Sequence, residues 1–297
     1  MVTRRSFLLA GSGIVAADAA VRAGARVSAN PGVIPAVPTP QGALTAGQIL
    51  DRIKANVGVA WRTETVDKFI FGSPATVVKG IATTMMATLD VVERAAGLGR
   101  NLVITHEPTF YNHLDQTAAL AQDPTYEAKQ RFIKDNRIVV FRFHDHAHAL
   151  RPDPLVVGSA RALGWTAYAS ATEPRIYDVP ATTLGALAAD IARRLKGRAV
   201  RVAGDPAMKV ARVALGPGYG VPPLTTSVDV VVGGEASESG GNSEYLADAV
   251  AAGQPKGVIL LGHMLSEDFG MFEVAEWLRG FLTDLPIEWI SAGEPFS

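Results

Sequence analysis

The sequence predicts an α/β fold with largely parallel sheets, and two observations carry that expectation. Short apolar runs rich in Val and Ile alternate along the chain with stretches of helical periodicity, the pattern of strands buried on both faces and covered by helices. Five of the six histidines fall in three clusters, each just after one of those runs: His106-Glu107, His144-Asp145-His146-Ala147-His148, and His263 with Glu267. Ligands gather beyond the carboxyl ends of parallel strands, so the clusters stand where such a fold builds its sites.

Taken in order, residues 26–44 contain Pro31, Pro35, Pro38 and Pro40, spaced too closely for helix or central strand, and read as an extended linker. Thr45 then caps a helix to about Asn56, with Ile49, Leu50, Ile53 and Val57 at helical spacing. Lys68–Phe71 and Thr76–Thr83 read as strands separated by Gly72-Ser73-Pro74. A helix from Thr88 to Ala96 leads into the strand Leu102–Ile104, a β-α-β unit that delivers His106. The pattern recurs in a helix Tyr126–Asp135 and a strand Ile138–Phe141, which delivers the second cluster. Pro152-Asp153-Pro154 opens a helix to Leu163, followed by strand Ile176–Val179, helix Thr183–Leu195, and strands Val200–Val202, Val210–Leu215 and Val228–Val232. Helix Glu244–Ala252 precedes strand Val258–Leu261, which delivers His263; Glu267–Leu282 reads as the last helix and Ile287–Ile290 as the last strand. Two lobes are expected, divided near residues 163–180. The four tryptophans and the stripe Phe272, Ala275, Leu278 and Leu282 read as core.

With no cysteine in the chain, imidazole and carboxylate are the side chains available to bind first-row divalent metals. His263 and Glu267 are four apart across a helix start, a spacing that puts both on one face; capping by Ser266 and Glu267 is the alternative. His144, His146 and His148 alternate, and share a face if the strand continues through them. One or two of them are then expected to orient other ligands through a carboxylate. His113 reads as a loop residue near the cleft mouth. Gly216-Pro217-Gly218-Tyr219-Gly220 follows a strand as a dinucleotide loop does, but Pro222 and Pro223 prevent the helix such a loop must open, which excludes that kind of binding. Glu235, after Gly233-Gly234, either lines the same cleft or sits on a solvated loop.

Composition of 48% hydrophobic and 19% charged residues excludes a disordered chain. A formal charge of −1 without a long Lys/Arg run argues against nucleic acid or an anionic membrane surface as partner. At the N-terminus, Thr3-Arg4-Arg5-Ser6-Phe7-Leu8-Leu9 resembles a twin-arginine export signal, with cleavage expected after Ala23-Gly24-Ala25 or Ala17-Asp18-Ala19. The apolar stretch Phe7–Ala17 is well short of the roughly 20 residues that span a bilayer, so no stable membrane insertion is expected. Removing residues 1–25 takes away three arginines and one aspartate and moves the formal charge from −1 to −3. The expected location is the periplasm or the exterior, reached by a protein already folded around its metal.

Assembled in order, these clusters resemble the dinuclear metal centre family called Nif-three-like, whose members are often labelled type 2 GTP cyclohydrolase I. The resemblance covers about residues 45–292. Ile104-Thr105-His106-Glu107-Pro108 stands where that family has a strand followed by His-His-Pro, and His144 through His148 matches its His-x-x-x-Asp. Leu215 to Gly220 resembles its glycine-rich loop, Gly233-Gly234-Glu235 its Thr-Gly-Glu, and Gly262 to Glu267 its Gly-His-x-x-Ser-Glu. The resemblance implies two similar α/β lobes, with largely parallel or mixed sheets and a metal site in the cleft between them, and a homo-oligomer such as a hexamer. It implies His106, Glu107, His148, His263 and Glu267 as ligands. Glu107 stands where the family usually has His and His148 where it has Asp, an exchange that keeps three imidazoles and two carboxylates but removes a carboxylate able to bridge two metals.

The resulting expectation is an exported metal-dependent hydrolase acting on a small molecule, using one or two ions of zinc, iron or manganese. Glu267 or Glu107 would bridge metals or take the proton of a water, with His144, His146 and Glu235 orienting ligands or facing substrate. The GTP label transfers poorly, because an exported protein meets little GTP. The alternative is a non-enzymatic metal-binding or assembly protein, whose coordination would be closed rather than open.

Overall fold

The apolar runs become strands that leave the sheets level with one another, and that alignment positions the histidines. A computed structural model describes residues 42–225, 227–239 and 241–295; the expected export signal and the linker before residue 42 lie outside them. The strands are β1 (Phe69–Phe71), β2 (Ile81–Thr84), β3 (Leu102–Thr105), β4 (Val139–Arg142), β5 (Ile176–Thr183), β6 (Arg201–Ala203), β7 (Lys209–Gly216), β8 (Val230–Gly233), β9 (Gly257–Leu260) and β10 (Ile287–Trp289). The helices are α1 (Ala46–Asn56), α2 (Leu89–Gly97), α3 (Pro124–Asp135), α4 (Pro154–Ala162), α5 (Leu184–Leu195), α6 (Gly241–Ala251) and α7 (His263–Arg279).

Among the described residues the strands form two five-stranded sheets, ordered β1-β4-β3-β2-β10 and β5-β7-β8-β9-β6. In the first, only β1 is antiparallel; in the second, β7, β8 and β9 are parallel between antiparallel β5 and β6. Every residue of β2, β3, β4 and β8 is buried, as expected of parallel strands covered on both faces. Pairing of Thr84 with Thr105, and of Thr105 with Arg142, ends three strands of the first sheet at one level. Pairing of Gly216 with Gly233, and of Gly233 with Leu260, does the same in the second. The segments that follow all emerge at a carboxyl edge.

Local chemistry sets the helix starts. Thr45 forms a reciprocal capping box with Gln48, while Asp123-Pro124 and Asp153-Pro154 each pair a capping carboxylate with proline in the first turn. Strand β5 runs four residues past the expected Val179 and α6 starts three residues before the expected Glu244; two further departures have a plain local cause. The second strand begins at Ile81, because Val77 and Val78 are taken up by pairing with Thr45 and Leu44 before α1. The last helix begins at His263, four residues early, where Gly262 at φ 81° turns the chain directly from β9 into α7.

Helix α7 serves both cores. Leu265 packs with the residues around the second sheet, whereas Met271, Val274, Ala275 and Leu278 pack with those around the first. Its approach to α4 depends on glycine: a Cβ on Gly158 would lie 2.3 Å from the Phe269 carbonyl oxygen, and one on Gly270 2.3 Å from Leu155. Among the described residues no helix is long and apolar enough to cross a membrane.

The loop after β3 is pinned from α3 by Lys129, which is buried and donates to the Thr109 carbonyl beside the rings of Phe110 and Tyr111. Burial, only partly opposed by the charge of Asp115, lowers its pKa from 10.5 to about 8. The folded protein therefore binds fewer protons than the unfolded chain between those two values, and stability rises with pH across that window. Relative to K129M, the wild type should gain up to about 3 kcal/mol between roughly pH 8 and pH 10.5. Urea unfolding at a series of pH values reads this out, and parallel curves for the two proteins would contradict it.

Candidate metal centre

The first cluster is the most deeply buried. His106 follows β3 directly and is fully buried, with Nδ1 3.2 Å from the carbonyl oxygen of Phe143 on the neighbouring segment. A carbonyl only accepts, so Nδ1 carries the proton and Nε2 carries the lone pair. That Nε2 has no protein hydrogen-bond partner. Glu107, beside it, directs Oε2 to the buried guanidinium of Arg142 at 3.2 Å and leaves Oε1 facing the histidines.

The second cluster does not continue its strand. β4 ends at Arg142 and residues 145–149 turn, with the amide of His148 donating to the carbonyl of His144 at 3.0 Å. The cause is Asp67: its Oδ1 accepts from the amides of His144 and Asp145 at 2.7 and 2.9 Å, and its Oδ2 from the amide and Nδ1 of His146 at 2.9 and 2.6 Å. One helical turn brings His144 and His148 together and sends His146 elsewhere, correcting the expectation that all three share a face. His146 stacks on Trp61 at 3.7 Å, and its Nε2 accepts from the amide of Arg62 at 3.0 Å. With both nitrogens committed, it neither faces the cleft nor orients another histidine. His144 is nearer the centre than expected, its ring stacked 4.5 Å from that of His106.

The third cluster comes from the second sheet. His263 opens α7, with Nε2 3.1 Å from Oε2 of Glu267 one turn on and 3.4 Å from Oε1 of Glu107. Its Nδ1 lies 3.1 Å from Oε2 of Glu235. The glycine-rich loop after β7 closes over this pair: a Cβ on Gly218, whose φ is 62°, would fall 2.1 Å from Oε1 of Glu267. Its amide donates to Oγ of Ser266 at 3.0 Å, fixing the loop to α7. His113 lies outside these contacts, on an exposed loop at the cleft, where its carbonyl accepts from Arg142.

One orientation recurs at four histidines. Nδ1 of His106, His144, His148 and His263 meets an oxygen of Phe143, Asp145, Asp153 and Glu235 respectively, at 2.9 to 3.2 Å, which turns each Nε2 to the other side of its ring. Side-chain donors of His106, His144 and His148 lie within 4.8 Å of one another, as do those of His106, Glu107 and Glu267. Burial lowers the pKa of His106 well below its ordinary 6.5, so its imidazole is neutral and able to ligate. Burial also works against the proton on His263, but Glu107 and Glu267 outweigh it and raise the pKa to about 10. Two carboxylates converging on one nitrogen demand positive charge between them. Inward imidazoles, carboxylates and an orphaned buried acceptor suit a first-row divalent ion of the zinc, iron or manganese kind, so the residues present fit a metal.

A model of the Duf34/NIF3 (NGG1p interacting factor 3) family matches residues 56–294. The chain belongs to this family. Among solved structures, the hypothetical protein SA1388 of Staphylococcus aureus is 17% identical, with 86% of this chain and 99% of that one covered at a TM-score of 0.62. A Bacillus cereus protein related to NIF3 is 15% identical with the same coverage and TM-score. TTHA1606 of Thermus thermophilus is 16% identical, covering 86% and 100% of the two chains at a TM-score of 0.58. At these identities the likeness shows the shared fold. No curated protein matches the chain by sequence.

Several residues that build this NIF3-family site give little sign in the sequence. Arg142 could have been noticed as a charge ending an apolar run, and Asp153, flanked by prolines, as a cap. Asp153 does both jobs, its Oδ1 accepting from the amide of Leu155 and its Oδ2 from His148. Asp67 carries no signal at all. Its removal strands three backbone amides, so D67A should lose about 3 kcal/mol or more of stability, together with metal affinity. Urea unfolding and metal content of the purified variant measure both losses, and a loss below about 1 kcal/mol would mean that the turn holds itself.

Proposed function

We propose that this NIF3-family protein binds one or two ions of zinc, iron or manganese and acts as a metal-dependent hydrolase on a small molecule. The observation that carries the reading is Nε2 of His106, a buried nitrogen that makes no hydrogen bond and lies 3.5 Å from Oε2 of Glu267, at the meeting point of three histidine clusters. His106, Glu107, His148, His263 and Glu267 would hold the ions, with His144 joining them on its proximity to His106. When bound, a divalent ion acidifies water and polarises an electrophilic carbon or phosphorus. The chain supplies the geometry and the proton acceptor. Both carboxylates line the cleft, but the Glu107 side chain is the more exposed, 12% against 3% for Glu267, so Glu107 is the carboxylate better placed to take the proton of a water. Arg142 fixes its other oxygen; burial works against the charge of Glu107, but the hydrogen bond from His263, with the charges of His144, His263 and Arg142, outweighs it and lowers the pKa of the carboxyl.

Metal retention tests the reading first. Wild-type protein loaded with zinc, manganese or iron and then dialysed should keep its ions, H106A and H263A should each lose most of them, and H113A should match wild type. Hydrolysis of chromogenic esters and phosphoesters should follow metal content across the same proteins. Retained metal with no turnover on any of them would favour the structural or assembly role instead.

Export through the twin-arginine route belongs to the same proposal and rests on Arg4-Arg5 and the weakly apolar stretch after them. The exported protein should begin between Ala20 and Ser28, and R4K/R5K should remain inside the cell. Mass spectrometry that finds Met1 or Val2 at the terminus of exported protein would sink the cleavage claim.

A further inference from the structure

The cleft beside the candidate metal centre encloses about 890 Å³, the size of a small-molecule site. Besides Glu107, His144, His148, His263 and Glu267, its lining includes two arginines that the proposed hydrolysis does not use, Arg151 and Arg175. Arg175 holds φ at 66°, a backbone conformation that arginine rarely adopts, just before β5. Its Nη1 donates to the carbonyl of Gly220 at 2.9 Å and its Nη2 lies 3.4 Å from Oδ2 of Asp153. Arg151 donates from Nη1 to the carbonyls of His148 and Leu150, each at 2.8 Å.

Both guanidiniums are thereby held while donors remain. Each offers five N–H groups, and among the described residues no protein acceptor meets the others. Charge is unbalanced as well. Arg151 has no carboxylate partner among the described residues, and Arg175 shares its only one, Asp153, with His148. Guanidinium groups stay charged at any physiological pH and match the oxygens of phosphate or carboxylate. Much of the remaining wall is apolar, from Pro152, Val156, Val157 and Pro217, and Tyr219 stands edge-on 4.7 Å from His263.

We propose that Arg151 and Arg175 form the seat of an anionic group, phosphate or carboxylate, on a substrate whose apolar body reaches across the cleft to the metal centre. The proposal names the substrate class for the hydrolase reading and rests on that reading for what lies at the far end. Asp153 sets the scale, since Nδ1 of His148 at 3.2 Å and Nη2 of Arg175 at 3.4 Å meet on the same oxygen. An anionic head at Arg175 therefore lies within one small molecule's length of His148.

Phenyl phosphate and benzoate are the probes, titrated calorimetrically into the full chain as purified and after zinc loading, with metal content measured on the same samples. Wild type should bind at least one of them. R151Q and R175Q should each weaken that binding about tenfold and R151Q/R175Q about a hundredfold, the loss of one charge-assisted contact at each step. R151Q should leave zinc content unchanged. Preference for phenyl phosphate marks a phosphate, preference for benzoate a carboxylate, and either supports the seat. Should R175Q fail to fold, R175K keeps the charge without the planar fork and should bind between wild type and R151Q/R175Q. Binding of both probes by R151Q/R175Q as tight as by wild type overturns the proposal, as does a wild type that binds neither. The two readings fail separately: a wild type that retains zinc but binds neither probe removes the seat alone, whereas arginine-dependent binding in a protein that retains no zinc removes the metal centre alone.

Discussion

Everything at this site depends on the commitment of four imidazole Nδ1 atoms to oxygen. An unanchored histidine rotates about two torsions and presents either nitrogen; one whose Nδ1–H is bound to a carbonyl or carboxylate presents only Nε2, in one direction. His106, His144, His148 and His263 are all fixed in this way. His146 shows the rule from the other side. It too has Nδ1 on a carboxylate, but its Nε2 accepts from the Arg62 amide, and the ring becomes part of the scaffold under Trp61. Which histidines can bind a metal is thus decided by what occupies the second nitrogen, a property that no spacing along the chain reveals.

The four acceptors come from very different places, and the fold supplies each without a dedicated element. The Phe143 carbonyl is available because β4 has just ended and its next backbone oxygen has no strand to pair with. Asp153 is already needed to cap α4, and Asp145 is held by Thr65 and Val66 on the approach to β1. Glu235 arrives because β8 ends level with β7 and β9. Level strand ends therefore do more than gather the histidines; they gather the groups that aim them. Helix α7 adds the last constraint, since its first turn carries His263 and Glu267 while its later turns are locked into the core around the first sheet.

Most of the fold was legible because its signals are local. Fully apolar runs bounded by glycine, proline or a capping residue mark buried parallel strands wherever they occur, and the mixed α/β architecture with two sheets follows from their alternation. The site was legible only in outline. His106, Glu107, His263 and Glu267 come together as their positions after strands suggest. The cluster from His144 to His148 has the alternation of a strand but not its conformation, because the force that bends it is Asp67, far away in sequence and unremarkable in its own context. The early start of α7 is hidden for a related reason, since Gly262 starts the helix through its backbone conformation and not through a capping side chain.

The two positions at which the sequence is expected to depart from the Nif-three-like pattern, Glu107 and His148, are each held by a partner. Glu107 does not stand alone, because its Oε2 satisfies a buried guanidinium whose other donors hold the carbonyls of His106 and His113. His148 is matched by Asp153, which gives its Nδ1 an acceptor. A histidine at 107 would leave Arg142 buried with only Asp115, 3.8 Å away, to answer its charge; an aspartate at 148 would set one carboxylate beside another. Each departure is therefore embedded with a partner of opposite demand. The two positions thus form two pairs, Glu107 with Arg142 and His148 with Asp153, and in each the buried polar groups have partners.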